Sequence, residues 1–459
     1  MANETFTLAA FASGLSLADM PPAAAERAKA LALDLLASAV RARAEAESTP
    51  AVLAAIARLG LDGPGPCTVM GDPRGYAPPV AALLNGVLGH SLDFDDTHAE
   101  SSLHPSAPVV PAALAAGELA RADGATVLAA IVAGYEVCCR LGLALDPAAH
   151  YARGFHPTAT AGTFGAAAAA ARVLGLDASQ IASAFGVAGS QAAGSLQFLA
   201  NGAWNKRWQV GAAAMNGLTA AMLAREGFLG AAEAIEGRHG LLAGYSGAPR
   251  PERATLGLGR DWETLRIGVK PYPNCRYTHA ALDGLLTLRR RHGLSAADVA
   301  SVEIGLHRNG MVLVGEPEAD KRRPRNVVEG QFSMPFAAAV ALDQGRFGWD
   351  DYRRLGESAI DALCDRILVR QDDGLEAESG HPFGARVRVV TAGDAFEIIV
   401  PHPPGEPESF PDAAATAGKF LTLAGPVLGG RAQAFAEAML GLDGFADIRS
   451  ALALARAAP

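Results

Sequence analysis

Residues 28–39 read AKALALDLLASA, with apolar side chains at three- and four-residue spacing, at Ala28, Leu31, Leu35 and Ala39. That spacing places the four side chains on one face of an α-helix. Alanine- and leucine-rich segments of the same kind make up more than the first half of the chain, and strand signals are scarce among them. Since alanine allows helices to approach closely, the sequence predicts a large, all-helical domain.

Short signals mark where two of these helices begin or end. Thr49 precedes Pro50, which suits a first helical turn because its missing N–H is not needed there, and Gly60 suits a left-handed stop. Asp177 with Gln180 three residues later has the pattern of a capping box. These signals predict one helix between Thr49 and Gly60 and the start of another at Asp177.

The pattern changes after Lys270-Pro271-Tyr272-Pro273. Residues 301–306 alternate apolar and polar side chains, which is the period of a half-buried strand. Residues 387–390 and 396–400 are largely apolar and lie on either side of Thr391-Ala392-Gly393-Asp394, which predicts a β-hairpin. The later part of the chain therefore contains strands.

Two helical stretches, residues 278–291 and 333–344, lie between these strands and predict a smaller α+β domain. Prolines cluster in residues 402–411 and indicate a linker, after which the helical pattern returns. The predicted fold class is mostly α. The predicted domains are a large helical domain of residues 1–265 completed by residues 404–459, and an α+β domain of residues 266–403.

Composition restricts the class of protein. The chain has 459 residues, of which 50% are hydrophobic and 19% charged, so it can bury a large core and is not a disordered protein. Lysine and arginine total 39 against 48 acidic residues, a net charge of −9, and no basic run suggests a nucleic-acid surface. Five cysteines show neither a disulfide framework nor zinc-binding spacing. Nucleic acid is not expected as a partner.

Targeting signals are not evident either. The first basic residue, Arg27, comes after the acidic Glu4, so the amino terminus lacks the positive start of a secretory signal. The most apolar segment, residues 126–134, is followed by Tyr135 and Glu136 and is shorter than the roughly 18 to 20 residues that a membrane helix needs. The expectation is a cytoplasmic protein without a membrane partner.

Residues 90–98, HSLDFDDTH, together with His104, form the densest polar segment. If the segment is helical, Asp93, Asp96 and Thr97 share one face, and carboxylates that crowd one another gain proton affinity. A histidine near its own titration point can then exchange a proton with a substrate at neutral pH. The pattern indicates general acid–base catalysis.

Two other interpretations of this segment stay open. Its carboxylates could cap helix amino termini while its histidines pack as neutral, hydrogen-bonded rings. Its Asp-x-Asp-Asp motif is all oxygen and could bind Mg²⁺, although no second acidic cluster accompanies it. A separate histidine, His156, stands before Pro157 at a predicted helix start, and on its own it favours a structural role.

The few lysines give another signal, because 34 of the 39 basic residues are arginine. Lys206 lies in Asn205-Lys206-Arg207-Trp208 and Lys270 precedes Pro271. An ammonium group is a compact point charge that can hold a carboxylate. We therefore predict that these two lysines bind an anionic small molecule, with a surface position as the alternative. The remaining lysines are predicted to be surface charges: Lys29, Lys321 and Lys419.

Cys275 and His279 follow Lys270 closely and either line the same pocket or simply begin a helix. A nucleophilic cysteine would need a basic partner, which spacing does not reveal. The sequence has no dinucleotide-binding glycine motif, phosphate loop, nucleophile elbow or zinc-protease motif. Neither a cofactor nor a metal ion is expected.

Together, these motifs closely resemble the MmgE/PrpD family, whose members include 2-methylcitrate dehydratase, cis-aconitate decarboxylase and iminodisuccinate epimerase. The resemblance covers nearly all of the chain. It implies a helical first domain, a smaller α+β lid domain, a site in the cleft between them, and a homodimer. The segments that carry it are residues 90–97, His104-Pro105-Ser106, Gly154-Phe155-His156, Lys206 and Lys270-x-Tyr-Pro-x-Cys275.

The resemblance also implies site residues, to which the position of Cys275 and His279 near Lys270 adds two. The expected catalytic residues are Asp93, His104, His156, Lys206 and Lys270, and the expected substrate-binding residues are Thr97, Cys275 and His279. The chain departs from the decarboxylase branch at three positions. That branch has histidine at the position of Cys275, tyrosine at that of Phe336, and often histidine at that of Gln209, and these departures disfavour cis-aconitate decarboxylation.

The family's common step is the transfer of a proton beside a carboxylate. The hypothesis is that His104 or His156 is the base or acid, that Asp93 orients a histidine, and that the two lysines stabilise the developing negative charge. We therefore predict a cofactor-independent lyase that dehydrates a small hydroxy-di- or tricarboxylate. The alternatives are an epimerase of a small dicarboxylate, less favourably a cis-aconitate-type decarboxylase, and, in a different class, a helical protein that binds carboxylates without converting them.

Overall fold

A computed structural model describes residues 3–375 and 383–458 of the chain. It contains a helical unit, Met1–Val269 with Pro411–Pro459, and a smaller unit, Lys270–Phe410. The sequence suggested boundaries a few residues earlier, near 265 and 403. The second boundary comes later because Glu406, inside the predicted linker, is buried and its Oε1 lies 2.9 Å from Nε of Arg276 in the smaller unit.

Most of the described chain is helical, as predicted, and the strands of the larger sheet all belong to the smaller unit. The helices before residue 270 are α1 (Glu4–Gly14), α2 (Pro22–Glu45), α3 (Thr49–Arg58), α4 (Pro78–Gly89), α5 (Ser106–Ala120), α6 (Gly124–Ala144), α7 (Pro147–Ala152), α8 (Pro157–Val173), α9 (Ala178–Gly189), α10 (Asn205–Arg225) and α11 (Leu241–Tyr245). Those of the smaller unit are α12 (His279–His292), α13 (Arg308–Gly310), α14 (Glu318–Arg322), α15 (Val327–Gln331), α16 (Met334–Gln344) and α17 (Ser358–Cys364). The helical unit ends with α18 (Ala413–Leu428), α19 (Arg431–Leu440) and α20 (Arg449–Leu452).

The predicted helix boundaries are confirmed. Helix α3 begins at Thr49 with Pro50 in its first turn, and Gly60 beyond its end has a left-handed φ of 71°. Helix α9 begins with the capping box of Asp177 and Gln180, in which each side chain accepts a hydrogen bond from the other residue's backbone N–H.

Helix α8 occupies the centre of the helical unit and packs against α5, α6, α9 and α10. Small residues make this packing close. A Cβ atom on Gly165 of α8 would lie 2.8 Å from the carbonyl oxygen of Gly134 in α6, and one on Gly217 of α10 would lie 2.6 Å from the nitrogen of Ala167. The alanine and glycine content noted in the sequence therefore brings helix backbones into direct contact.

Helices α4 and α10 meet through a second pair of glycines. A Cβ atom on Gly86 would lie 2.8 Å from Cα of Gly211. This contact holds the first half of α10 against the last turns of α4. The loops at these two helix ends carry most of the polar residues singled out in the sequence.

Two short antiparallel pairs of strands, which the sequence did not predict, connect loops of the helical unit. They are β1 (Pro64–Thr68) with β2 (Gly75–Tyr76), and β3 (Thr97–His98) with β4 (Ile267–Gly268). The second pair places Thr97 opposite Gly268.

Helix α6 is 21 residues long, more extended than its most apolar stretch suggested, and its length and composition alone would allow it to cross a membrane. Its most apolar window is completely buried inside the helical unit. A buried core helix has the same composition, so this helix is weak evidence for a membrane segment.

The carboxy-terminal helices return to the helical unit, where α18 packs against α2. Lys419 of α18 lies 2.6 Å from Asp34 of α2, donates a hydrogen bond of 2.8 Å to the carbonyl oxygen of Phe94, and stands 3.8 Å above that residue's ring. Lys29 is also buried, 2.6 Å from Asp443. The prediction that Lys29 and Lys419 are surface charges is wrong, because each also pairs with a carboxylate that is distant in the sequence, Asp443 or Asp34.

The smaller unit is built on a four-stranded sheet in the order β6-β5-β7-β8. Its strands are β5 (Val299–Leu306), β6 (Ile367–Gln371), β7 (Ala385–Thr391) and β8 (Ala395–Val400). The predicted hairpin is confirmed as β7 and β8, and the predicted strand near residue 302 is confirmed as β5. Strand β6, parallel to β5, was not predicted.

Helices α12 and α16, both predicted, pack against each other, and α12 covers β7 and β8. Gly284 of α12 allows the close approach, since a Cβ atom there would lie 3.1 to 3.2 Å from methyl groups of Val387, Ile398 and Val400. Phe336 of α16 is buried in the resulting core.

Candidate active site

Four helix ends of the helical unit present the polar residues of the candidate site. Helix α4 ends at Gly89, directly before His90. His104 lies two residues before α5, His156 caps α8, and Lys206 lies in the first turn of α10. Because α4, α5, α8 and α10 pack against one another, side chains far apart in the sequence converge here.

The segment after α4 is a loop, so the helical spacing considered for Asp93, Asp96 and Thr97 does not apply. Asp93 has a φ of 52°, a left-handed conformation that a helix does not accommodate. Its Oδ1 accepts a hydrogen bond of 2.7 Å from Nζ of Lys206. Asp93 and Thr97 therefore do not share a helix face with Asp96.

The three carboxylates of this loop have different partners. Besides the contact of Asp93 with Lys206, Asp95 Oδ2 lies 2.7 Å from Nδ1 of His90, and Asp96 accepts hydrogen bonds from Ser106. Carboxylates that diverge in this way do not make the oxygen cage that Mg²⁺ needs. The geometry thus disfavours the Mg²⁺ interpretation of Asp-x-Asp-Asp.

Three imidazole rings form a cluster. The ring centre of His90 lies 4.8 Å from that of His104 and 6.2 Å from that of His156. Each ring has an acceptor at Nδ1: the Asp95 carboxylate for His90, a backbone carbonyl at 2.6 Å for His104, and a side-chain amide oxygen at 3.3 Å for His156. An Nδ1 that donates to an acceptor leaves Nε2 with the lone pair when the ring is neutral.

Burial and neighbouring charges keep two of these rings neutral. Loss of solvent is the main reason that the pKa of His156 falls well below its usual value, and the positive charge of Lys206 lowers it further. Burial likewise lowers the pKa of His90, against the opposing effect of Asp95. At neutral pH, His156 is therefore a base and not an acid.

The electrostatic field of this region favours an anion. The amino termini of α5, α8 and α10 each carry a partial positive charge from their backbone N–H groups. Lys206 adds a full positive charge, with 22% of its side chain exposed. These groups attract anions, but Nζ of Lys206 is already paired with Oδ1 of Asp93, so the binding of an anionic molecule by Lys206 stays a prediction.

The buried polar atoms here that have no hydrogen-bond partner in the described part of the chain include Nε2 of His90 and Oγ1 of Thr97. A buried polar group without a partner costs about 1 to 3 kcal/mol. Such atoms occur where water or a ligand supplies the missing partner. This supports the expectation that Thr97 contacts substrate and adds His90 as a candidate.

Asp96 supports the site from behind. It is buried beside Tyr135, its Oδ2 accepts a 2.6 Å hydrogen bond from Oγ of Ser106, and Oγ lies 2.6 Å from the Tyr135 hydroxyl. Burial first and the nearby Asp95 second raise the pKa of Asp96 well above its usual value. Since the backbone carbonyl of Asp96 receives the Nδ1 hydrogen bond of His104, a fixed Asp96 also fixes that ring.

One group of histidine and carboxylate atoms is close enough to consider as a metal site. The ligand atoms of His90, Asp95 and His104 lie within 4.8 Å of one another. However, Nδ1 of His90 already donates to Asp95, and Nδ1 of His104 to the carbonyl of Asp96. These hydrogen bonds explain why the three side chains lie close together without a metal ion.

The other predicted residues belong to the smaller unit, which begins at Lys270. Lys270, Cys275 and His279 are all buried in it. Both ring nitrogens of His279 have partners: Nε2 donates to the carbonyl of Asn274 at 3.2 Å, and Nδ1 lies 3.4 Å from Nη1 of Arg276. This geometry gives His279 a structural role within the smaller unit.

Four residues of these two regions were not predicted as site residues from the sequence. His90, Asp95 and Gln209 surround the predicted histidines, and the first two were part of the recognised polar segment. In the smaller unit, the side-chain amide of Asn274 is fully buried and neither its oxygen nor its nitrogen has a hydrogen-bond partner among the described residues. Nothing in the spacing of the sequence marks such an unsatisfied amide.

The fold combines a large helical unit, which carries a histidine cluster, with a smaller α+β unit. Comparison with known families gives the identity of the class: residues 7–254 match the MmgE/PrpD N-terminal domain and residues 272–443 the MmgE/PrpD C-terminal domain. The chain belongs to the MmgE/PrpD family, as the motifs predicted.

Curated relatives cover the whole chain. It is 30% identical to cis-aconitate decarboxylase-like protein oryM of Aspergillus oryzae, over 98% of this chain and 97% of that protein. It is also 30% identical to cis-aconitate decarboxylase of Aspergillus terreus, over 97% and 94%, and 34% identical to the human enzyme of that name over 49% and 47%. Decarboxylases are lyases, and these relatives support an enzyme of lyase type.

Proposed function

We propose that the protein is a lyase that removes a proton beside a carboxylate of a small di- or tricarboxylic acid and expels a group from the neighbouring carbon. The observation that carries the proposal is the neutral, buried His156, whose Nδ1 is engaged and whose Nε2 holds a lone pair. A base of this kind, next to three helix amino termini and Lys206, suits proton removal from an anionic substrate.

Dehydration is the reaction that such a base supports best. Nε2 of His156 takes the proton from the carbon beside the carboxylate, and the electron pair of that C–H bond becomes the new C=C bond. The C–O bond of the β-hydroxyl breaks, and the hydroxyl leaves as water with a proton from His104. Lys206 stabilises the negative charge that builds on the carboxylate, while Thr97 holds a substrate oxygen.

Decarboxylation of an unsaturated tricarboxylate is the second candidate, favoured by the names of the relatives. Here a proton is added to one carbon of the double bond, carbon dioxide leaves from the saturated carbon attached to the other carbon of that bond, and the electron pair of the broken C–C bond forms a new C=C bond. This order needs an acid at the start, a role that neutral His156 supports less well than His104 does.

An epimerase would use the same base to remove the proton and would return a proton to the opposite face of the same carbon.

The test is NMR in deuterium oxide with citrate-like, malate-like and amino-dicarboxylate compounds. An unsaturated acid, also visible by its near-ultraviolet absorbance, is the expected product. Release of carbon dioxide would favour the second candidate, and deuterium exchange without loss of a group would favour the epimerase. Saturable binding of these acids with neither exchange nor conversion would contradict any catalytic role and support a carboxylate-binding protein.

Lys270 and Cys275 enter this proposal as the contribution of the smaller unit, with Lys270 as a second carboxylate-binding cation, whereas His279 keeps the structural role that its two hydrogen bonds give it. We also propose that the protein is a cytoplasmic homodimer that needs neither cofactor nor metal and has no nucleic-acid or membrane partner. Light scattering tests the dimer. Activity that survives dialysis against a chelator supports the metal-independent reaction, and activity that is lost and returns with a divalent ion contradicts it.

A further inference from the structure

Gln209 connects the candidate base to a neighbouring loop. Its side-chain Nε2 donates a hydrogen bond of 2.8 Å to the backbone carbonyl of Ser195, and its Oε1 lies 3.3 Å from Nδ1 of His156. A carbonyl oxygen only accepts hydrogen bonds, so the contact with Ser195 fixes which end of the amide is nitrogen. The end that faces His156 is therefore the oxygen.

The loop that holds this amide is itself attached to His156. The backbone N–H of His156 donates to the carbonyl of Gly194 at 3.0 Å, and that of Leu196 donates to the carbonyl of Gly154 at 2.9 Å. A Cβ atom on Gly194 would lie 3.3 Å from Oε1 of Gln209 and 3.4 Å from Cβ of His156. The glycine thus leaves room for the amide and the ring to meet.

We propose that Gln209 is a positioning residue that fixes the orientation and the tautomer of His156, with the hydrogen on Nδ1 and the lone pair on Nε2. An amide oxygen cannot donate, so Nδ1 must donate in the neutral ring. The hydrogen bonds that the two ring nitrogens of a histidine make decide which of them carries the hydrogen.

His156 and the neighbouring His90 differ in the charge of the group that accepts the hydrogen bond from Nδ1. Asp95 gives His90 a charged acceptor at 2.7 Å, whereas Gln209 gives His156 a neutral one at 3.3 Å. A charged acceptor stabilises imidazolium much more than a neutral amide does. Gln209 therefore holds the ring in place without turning it into an acid, and this consequence rests on the proposed function, in which His156 is the base.

The first experiment measures the tautomer directly and needs no substrate. The protein has 11 histidines, and selective ¹⁵N labelling with the His156→Gln variant assigns the two nitrogens of this ring. At neutral pH we expect Nδ1 of His156 to show the shift of a protonated nitrogen and Nε2 that of an unprotonated one. A wild-type ring protonated at Nε2 would overturn the inference.

The second experiment compares substitutions. In Gln209→Leu the acceptor is lost, and we expect the two nitrogen signals of His156 to move toward the averaged shifts of exchanging tautomers, with kcat lowered about tenfold. Gln433→Leu is the matched control, because Gln433 is exposed in α19 and bonds only to Glu437. Gln209→Leu with wild-type tautomer shifts would refute the proposal.

A third variant keeps the test decisive if Gln209→Leu does not fold. Gln209→Glu retains an oxygen toward Nδ1 and adds a negative charge, so the acid limb of kcat/KM should move to higher pH. The other titratable groups that act on His156 are His90, His104 and Lys206, which this variant leaves in place. An unmoved acid limb would contradict the role of Gln209. If His156 has the expected tautomer but the protein converts none of the tested acids, the proposed function is contradicted and the role of Gln209 is not.

Discussion

Two buried histidine environments differ in what they leave for a ligand. In the helical unit, His90 and His156 each use Nδ1 for a hydrogen bond, and Nε2 of His90 has no hydrogen-bond partner in the described parts of the chain. In the smaller unit, His279 uses both ring nitrogens, toward Asn274 and Arg276. All three rings are at least 97% buried, so burial alone does not separate a reactive histidine from a structural one.

The difference teaches that the second nitrogen matters more than the position in the sequence. A ring with both nitrogens hydrogen-bonded stabilises the fold, and neither nitrogen is available to exchange a proton with a ligand. A ring with one nitrogen bonded is oriented, and the other nitrogen remains able to exchange a proton. The predictions below test this division, from the largest expected effect to the smallest.

The largest effect is expected from His156→Gln. Loss of the base should lower kcat for an identified substrate by about 10²- to 10⁴-fold, while the melting temperature changes little. The comparison variant is His279→Gln, which removes two internal hydrogen bonds and should lower the melting temperature with a small effect on kcat. If His279→Gln instead folds normally and raises KM, His279 contacts substrate as the sequence suggested.

Glu406→Gln tests the structural side of the comparison. Arg276, which lies beside His279, is paired in the interior with Glu406, and both side chains are at most 5% exposed. Removal of the Glu406 charge breaks a buried ion pair, so we expect the free energy of unfolding to fall, by up to about 3 to 5 kcal/mol. Chemical denaturation measures the loss, and an unchanged midpoint would show that the pair is not buried in solution.

Lys206→Met tests the electrostatic side. Burial is the main cause of the lowered pKa of His156, and the positive charge of Lys206 adds to it. Without the Lys206 charge the pKa of His156 rises toward its usual value, so the base becomes protonated at a higher pH. The acid limb of kcat/KM should therefore move to higher pH, whereas an unmoved acid limb would place Lys206 away from the base.

Thr97→Val should have the smallest effect on stability. The hydroxyl of Thr97 has no partner in the described chain, so its removal should leave the free energy of unfolding unchanged or slightly raised, while KM rises about tenfold. Thr264→Val is the matched control, because the Thr264 hydroxyl donates a 2.8 Å hydrogen bond to buried Glu136. The control should lose about 1 to 3 kcal/mol of stability with little change in KM. Equal losses of stability in both variants would contradict the distinction.

Much of the fold could be predicted from the sequence because its signals are local. Helical periodicity, the capping box at Asp177 and the hairpin over β7 and β8 depend on residues close together in the chain. Strand β6 and the pair of β3 with β4 depend on distant partners and leave little local pattern. Buried Glu406 was assigned to a linker because prolines surround it, while its partner Arg276 is 130 residues away.

The site shows the same limit. The sequence located the polar segment, and the structure brings His104, His156, Lys206 and Asp93 of the helical unit together. It did not predict the left-handed Asp93, which redirects the three carboxylates to separate partners. Nor could spacing predict that His90, and not only the two selected histidines, retains an unsatisfied nitrogen.

The hydrogen bond from Lys419 to the carbonyl of Phe94 joins residues 325 positions apart. During synthesis at about 5 to 20 residues per second, the loop of His90 and Asp93 emerges from the ribosome tens of seconds before Lys419 is made. Until then the nascent chain lacks both this anchor and the partner of Asp34. A reading frame cut short before α18 would yield a polypeptide with every histidine of the cluster but without the cation that braces their loop.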